Sequence, residues 1–203
     1  KLIGYLNNKK VGEKNNIGIL RHHSDNIGIG GKVSDTVVES GSQTDKNEYF
    51  FKGKLYEVRN WYEKALTYKE IVNTPGNSLG GNESSLEALW LAEGSNEIIL
   101  KDHSGNGHNG KNNWEYSLDL NNDYVALNDT YNSTQTSFAV ESWVKTTDTN
   151  AVIASYDRTE YWRFGIGSNG TSGKVTFNVK TTDCSGTTTV SDGKWHHIAG
   201  VYS

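Results

Sequence analysis

The loop at residues 101–110, KDHSGNGHNG, carries the side chains best suited to hold a metal ion. Asp102, Asn106 and Asn109 offer side-chain oxygens, and the glycines between them allow the backbone to turn sharply. Oxygen atoms of this kind are the ligands that a hard cation such as Ca²⁺ prefers. The spacing differs from that of an EF-hand. A turn rich in Asp and Asn without a metal is the alternative explanation.

A second group of residues could bind a sugar. Tyr161, Trp162 and Trp114 are expected next to loops, and Arg158 lies close to the first two along the chain. An exposed aromatic ring stacks on the apolar face of a sugar, and polar side chains beside it donate hydrogen bonds to hydroxyl groups. These four residues are the predicted ligand-binding set. The alternative is that the rings are partly buried at a sheet edge.

The common catalytic motifs are absent from the sequence. It contains no G-x-S-x-G, no H-E-x-x-H and no phosphate-binding loop. Cys184, the only cysteine, lies in a Ser/Thr/Gly turn without a neighbouring basic residue to stabilise a thiolate. In the adjacent histidine pairs at 22–23 and 196–197, the two side chains of a strand point to opposite faces and cannot bind one metal together. We therefore predict no enzymatic activity, and an enzyme assembled from scattered residues is the alternative.

The composition indicates a folded, β-rich protein. Its 203 residues suffice for one β-rich domain or two small ones, and they include 22 Gly, one Pro, six Trp, 11 Tyr and five Phe. The net charge of −4 comes without a long Lys/Arg cluster, so nucleic acid is not an expected partner. No apolar run reaches about 18 residues, so we predict no membrane span.

Alternating strands and turns recur along most of the chain. Apolar and polar residues alternate at 137–145, SFAVESWVK, and similar segments follow about every 8–12 residues with Gly, Asn or Asp between them. Asn7 and Asn8 tolerate positive φ and predict a tight hairpin turn within 1–12. This pattern is typical of an antiparallel sandwich or barrel.

The stretch at 53–71, GKLYEVRNWYEKALTYKEI, predicts one long strand followed by a short helix. Thr67 and Glu70 form a capping box, in which each side chain binds the backbone N–H of the other. The box predicts a helix over 69–73, which the following Thr-Pro-Gly ends.

The same stretch resembles the closing segment of laminin-G-like and pentraxin-like domains, with its glycine, Glu-Val-Arg strand, aromatic residue, Ala-Leu and capping box. From 89 to 202 the chain resembles the first half of a concanavalin-A-like jelly roll. The segments that carry this resemblance, in family order, are LWLAEG, KDHSGNGHNG, YSLDLNNDYVAL, SFAVESWVK, YWRFGIG and GKWHHIAGVYS. The resemblance implies an all-β, two-sheet antiparallel jelly-roll sandwich with one short helix. It also places Trp61, Trp143 and Trp195 in the core, and Trp90 is expected there too.

The two halves stand in the reverse of the family order, so the sequence resembles a circularly permuted domain. We expect residues 1–203 to form a single jelly-roll domain. Residues 1–72 correspond to the family's C-terminal half and 86–203 to its N-terminal half. Residues 73–85, NTPGNSLGGNESS, are expected to be a linker between the halves, with an ordinary surface loop as the alternative.

Joining Ser203 to Lys1 restores the family order, and the break then falls inside one hairpin. Half of one tandem repeat followed by half of the next is the rival explanation. In both cases the strand of 53–62 has to pair with the strand at Leu89, because neither half contains a complete sheet.

The resemblance also has consequences for metal binding. In the family, the loop that matches 101–110 often holds a structural Ca²⁺ together with an acidic residue of the closing strand. This implies Glu57 as a further ligand beside Asp102, Asn106 and Asn109. The family's usual aspartate just before that position is Tyr56 here.

As a whole, the resemblance implies a non-catalytic, lectin-like carbohydrate-binding module with a structural calcium site. Laminarinase-type enzymes of this fold carry an E-x-D-x-E run, which this sequence lacks. A protein-binding adhesion module and an accessory domain of a larger secreted glycoside-active enzyme are the alternatives. The expected partner is a glycan or glycoprotein. With a single cysteine no internal disulfide can form, which favours a microbial secreted protein or an intracellular one over a small extracellular animal module. Together with the resemblance, we expect a secreted or cell-surface protein of microbial origin.

Overall fold

A computed structural model describes residues 1–18, 27–30, 51–73, 79–91, 99–112, 125–127, 135–156, 162–167, 171–180 and 182–203. These residues form two antiparallel β-sheets and one short helix. The predicted all-β, two-sheet sandwich is therefore confirmed. Within the described residues, no helix is long and apolar enough to cross a membrane.

The first sheet, called sheet A, has six strands. They are β1 (Leu2–Leu6), β2 (Lys9–Lys14), β4 (Gly53–Tyr62), β5 (Leu86–Leu91), β9 (Phe138–Thr146) and β14 (Trp195–Tyr202). Their order across the sheet is β2-β1-β14-β9-β4-β5.

The second sheet, called sheet B, has eight strands in the described part of the chain. They are β3 (Ile27–Ile29), β6 (Ile99–Leu100), β7 (Gly110–Asn112), β8 (Val125–Leu127), β10 (Ala151–Tyr156), β11 (Trp162–Ile166), β12 (Lys174–Val179) and β13 (Thr182–Thr189). Their order is β13-β12-β11-β10-β3-β8-β7-β6.

The main core lies between the two sheets. Aromatic rings from both sheets meet there: the ring of Phe138 in sheet A lies 5.5 Å from that of Trp162 and 5.6 Å from that of Phe177 in sheet B. Side chains alternate along each strand, so Val58, Val140 and their inward-facing equivalents belong to this core. The residues between them point to the opposite side of sheet A, which we call its outer face.

The helix α1 (Tyr68–Asn73) belongs to a second, smaller apolar cluster, which it shares with the outer face of sheet A. Ile71 of the helix is fully buried, and it belongs to the same cluster as Trp61 and Leu89. The predicted capping box is present. The Thr67 N–H donates to the Glu70 carboxylate at 2.8 Å, and the Glu70 N–H donates to the Thr67 hydroxyl at 3.3 Å.

The two ends of the chain meet in sheet A. β1 pairs with β14, with Leu2 opposite Tyr202, and the Ser203 N–H donates to the Lys1 carbonyl at 2.8 Å. The predicted hairpin turn is present, because Asn7 and Asn8 have φ of 45° and 66° between β1 and β2.

The long strand β4 joins the two halves of the chain. It pairs with β9 on one side and with β5 on the other, and Arg59 lies opposite Leu89. The predicted pairing of the 53–62 strand with the strand at Leu89 is therefore confirmed. The circular permutation itself stays a prediction.

Candidate functional site

The outer face of sheet A brings polar and aromatic side chains together in rows. Neighbouring strands are in register, so residues of β14, β9 and β4 stand directly opposite one another, with Cβ atoms about 5 Å apart. The three rows, each given in the order β14, β9, β4, are Ala199–Glu141–Arg59, His197–Trp143–Glu57 and Trp195–Lys145–Lys54.

The first two rows contain a buried network of charged groups. Arg59 lies between two carboxylates: its Nε donates to Glu57, and its Nη1 lies 3.4 Å from Glu141 Oε1. Trp61 Nε1 donates to the same Glu141 oxygen at 3.2 Å. Because these side chains are almost completely buried, the guanidinium compensates the desolvation of both carboxylates.

His197 contacts the other oxygen of Glu141. Its Nε2 lies 3.2 Å from Glu141 Oε2, within reach of an ion pair, although that oxygen accepts no hydrogen bond from the described residues. The His197 ring also packs against Trp143, with 5.4 Å between ring centroids. The buried network is therefore in contact with Trp143 through His197, and Trp143 itself is half-buried.

The third row is exposed to solvent. Trp195 is 43% exposed, and Lys145 and Lys54 beside it are exposed as well. An indole that is left in water on a sheet face, next to the half-buried Trp143, forms a flat surface that a ligand can cover.

A hydrogen-bonded clamp holds the β14 end of this row. His196 Nε2 lies 2.8 Å from Asp192 Oδ1, and His196 Nδ1 lies 3.0 Å from the amide nitrogen of Asn7. The amide oxygen of Asn7 accepts from the backbone N–H of His197. The hydrogen bond from His196, with one from the backbone of Lys194, holds the pKa of the Asp192 carboxyl below its usual value. Trp195 therefore lies between Lys194, whose N–H donates to Asp192, and His196, which contacts Asp192 and Asn7, and these contacts hold its backbone in place.

The 101–110 loop is organised around Asp102. One carboxylate oxygen accepts from the N–H groups of Leu89 and Ser104, and the other accepts from the Ser104 hydroxyl and the His108 N–H. Burial alone would raise the pKa of this carboxyl, but the hydrogen bonds outweigh it and lower the pKa. Asp102 thus fastens the loop to β5.

The four predicted calcium ligands do not converge on one point. Asn109 is near Asp102, but its Oδ1 accepts from the Asp102 N–H, and the amide nitrogen of Asn106 donates to the carbonyls of Leu86 and Glu87. Glu57 is paired with Arg59. The Asp102 and Asn109 side-chain oxygens accept N–H and O–H hydrogen bonds in this arrangement, and a calcium ion at this loop stays a prediction. Within the described residues, no cluster of three or more His, Cys, Asp or Glu side chains could hold a metal.

One of the four predicted sugar-binding residues, Trp162, requires a correction. Trp162 was expected next to a loop, but it begins β11, faces the core and is only 2% exposed. Its ring cannot stack on a ligand from solvent. Tyr161, Arg158 and Trp114 lie outside the described residues.

Two tryptophans expected in the core lie on the outer face instead. Trp195 is exposed and Trp143 is half-buried, whereas Trp61 and Trp90 are buried as expected. The alternation of β9 predicts that Trp143 faces away from Val140 and Val144, and this signal was present in the sequence. Glu141 is two residues before Trp143 on the same strand, so its side chain points to the same face, and its position on the outer face could have been predicted too.

Comparison with known proteins agrees with this architecture. Residues 119–203 match the model of a laminin-G-type family described as the concanavalin A-like lectin/glucanases superfamily. Searches of curated proteins and of solved structures gave no match. The matched region includes β9 to β14, which supply Glu141, Trp143, His197 and Trp195. The match over residues 119–203 and the two-sheet sandwich together confirm the resemblance to a concanavalin A-like domain that the sequence predicted.

Proposed function

We propose that this protein is a non-catalytic carbohydrate-binding module whose site is the outer face of sheet A around Trp195. A superfamily that contains lectins and glucanases makes sugar the first ligand class to consider. The outer face supplies the two kinds of group that sugar binding needs: an exposed ring for stacking and charged side chains for hydrogen bonds.

The exposure of Trp195 is the observation that carries this proposal. Trp195 lies on a regular strand, in the row next to that of the half-buried Trp143. Part of its apolar ring is in contact with solvent and does not pack against the rest of the protein. Sheet strands hold such a ring more firmly than a loop does, and the buried Arg59 network fixes its neighbours. The face is therefore a preorganised platform, which lowers the entropy cost of binding.

The same network favours binding over catalysis. Glu57 and Glu141 are two carboxylates on neighbouring strands, the residue pair that a glycosidase requires. Both are paired with Arg59, and Glu141 is fully buried, so neither is available to protonate or attack a glycosidic bond. We therefore assign them a supporting role beneath the binding surface.

A glycan array tests the proposal with the intact chain and two matched variants. Trp195→Ala should remove the signals that the natural chain gives, because the stacking ring is lost. Tyr68→Ala should keep them, because Tyr68 is even more exposed than Trp195 (57% against 43%) but lies on α1. An array on which no glycan binds the natural chain would overturn the proposal and favour a protein-binding adhesion module.

The structural calcium ion implied by the family is a separate proposal with its own test. An ion that binds only the folded chain raises its stability by RT ln(1 + [Ca²⁺]/Kd), and chelation reverses the effect. Thermal unfolding with calcium and with EDTA measures this directly. A melting temperature that is the same in both would assign the Asp102 loop to hydrogen bonding alone.

A further inference from the structure

We propose that the outer face of sheet A around Trp195 binds an acidic glycan, one that carries carboxylate or sulfate groups. The proposal rests on the carbohydrate-binding function proposed above and specifies the class of sugar. It is carried by the row Trp195–Lys145–Lys54, in which two lysines stand directly opposite each other beside the exposed indole.

The two lysines form a like-charge pair that the described protein does not neutralise. Lys54 and Lys145 are Cα partners on β4 and β9, and both side chains are exposed. Neither makes an ion pair or a side-chain hydrogen bond with the described residues. Like charges directly opposite on neighbouring strands destabilise a sheet, so an anion placed between them would relieve this repulsion.

Two acidic residues of the described part of the chain that lie near this row, Glu57 and Asp192, are already paired. Glu57, in the adjacent row, is paired with Arg59. Asp192 accepts a hydrogen bond from His196 and lies 4.0 Å from the ammonium group of Lys194. Because Lys194 is paired with Asp192 in this way, it is not part of the proposed site. Among the described residues of this row the unpaired charge is positive, although the net charge of the chain is −4.

The geometry of the row suits a sugar better than an arbitrary anion. Adjacent strands are about 4.8 Å apart, so Trp195, Lys145 and Lys54 extend over roughly 10 Å in a nearly straight line. A ring stacked on Trp195 would direct the substituents of the next sugar residue toward the lysines. An acidic polysaccharide meets both requirements in one ligand, because it repeats apolar ring faces and negative groups along its length.

The test uses polysaccharide pairs that differ only in charge. Polygalacturonate and its methyl-esterified form probe carboxylates, and dextran sulfate and dextran probe sulfates. The natural chain should bind the charged member of at least one pair about tenfold more tightly, as two exposed ion pairs would provide. Raising the salt concentration from about 0.1 M to 1 M should remove that preference, because the screening length falls from about 10 Å to 3 Å.

Variants then assign the preference to this row. Lys54→Gln/Lys145→Gln should bind charged and neutral polysaccharides equally, while the control Lys9→Gln/Lys69→Gln, with the same change in net charge, should retain the preference. Circular dichroism confirms that each variant is folded; if one is not, the salt dependence of the natural chain decides instead.

Three results would overturn the inference, each in a different way. Equal binding of charged and neutral polysaccharides by the natural chain would refute it and leave the carbohydrate-binding function standing. Binding of polyglutamate as tight as that of the acidic polysaccharide would show that charge alone is recognised. Binding of no polysaccharide at all would remove the proposed function together with the inference.

Discussion

At the scale of single residues, Arg59 is the cation that pairs with two buried carboxylates on the outer face of sheet A. It neutralises Glu57 and Glu141, which are both buried, and Glu141 also accepts from Trp61. Removing one partner of a buried ion pair leaves the other charge uncompensated, which costs more than the pair contributes.

We predict that Arg59→Ala lowers the free energy of unfolding by about 3–5 kcal/mol, because two carboxylates lose their cation inside the protein. Urea denaturation of the intact chain measures this loss. Lys69→Ala, an exposed change on α1, serves as the control and should stay within about 0.5 kcal/mol of the natural chain. A loss below about 1 kcal/mol for Arg59→Ala would mean that the network is not held by Arg59.

Part of this network could be predicted from the sequence. Glu57 and Arg59 are two positions apart on one strand, so their side chains share a face whatever the rest of the fold is. Glu141 and His197 are distant in sequence, and only the register of β4, β9 and β14 brings them to the same place. The resemblance implies that Glu57 is a metal ligand, whereas in the structure its carboxylate pairs with Arg59, two residues away.

At the scale of elements, the sequence predicts best those features that contacts between residues close in sequence determine. The capping box at Thr67 and Glu70 specifies a helix start through contacts three residues apart, and the helix begins at Tyr68. The face of β14 was harder to predict. Both of its faces carry apolar residues, with Ile198 on one and Val201 on the other, so the alternation alone could not tell that Trp195 is exposed.

We predict that Thr67→Ala lowers the free energy of unfolding by about 1 kcal/mol, because the Glu70 N–H loses its acceptor. Thermal or urea unfolding measures the change, and Thr67→Ser, which keeps the hydroxyl, should restore most of it. If Ser destabilises as much as Ala, the hydroxyl is not the source of the stability.

At the scale of the whole molecule, the two ends of the chain are neighbours and the strands of both halves are interleaved. β4 lies between β9 and β5, and β3 lies between β10 and β8. The sequence predicted this closure because each half resembled an incomplete part of one jelly roll. We propose that the chain is a circular permutation of that fold, for which the pairing of β1 with β14 is the supporting contact.

The permutation can be tested by restoring the family order. A chain that begins at Leu79, joins Ser203 to Lys1 through a short Gly-Ser linker and ends at Asn73 should fold to the same structure. Its free energy of unfolding should stay close to that of the natural chain, because every pairing in sheet A is preserved. A re-ordered chain that is unfolded or aggregated would contradict the proposal.

A sugar-binding surface on the outer face of sheet A is tested most directly by nuclear magnetic resonance of the indole N–H groups. The experiment titrates the natural chain with a glycan that binds on the array. The signals of Trp195 and Trp143 should shift with increasing glycan, while those of Trp90 and Trp162, which are buried in the core, should stay in place. A glycan that binds without moving the Trp195 signal would contradict the account.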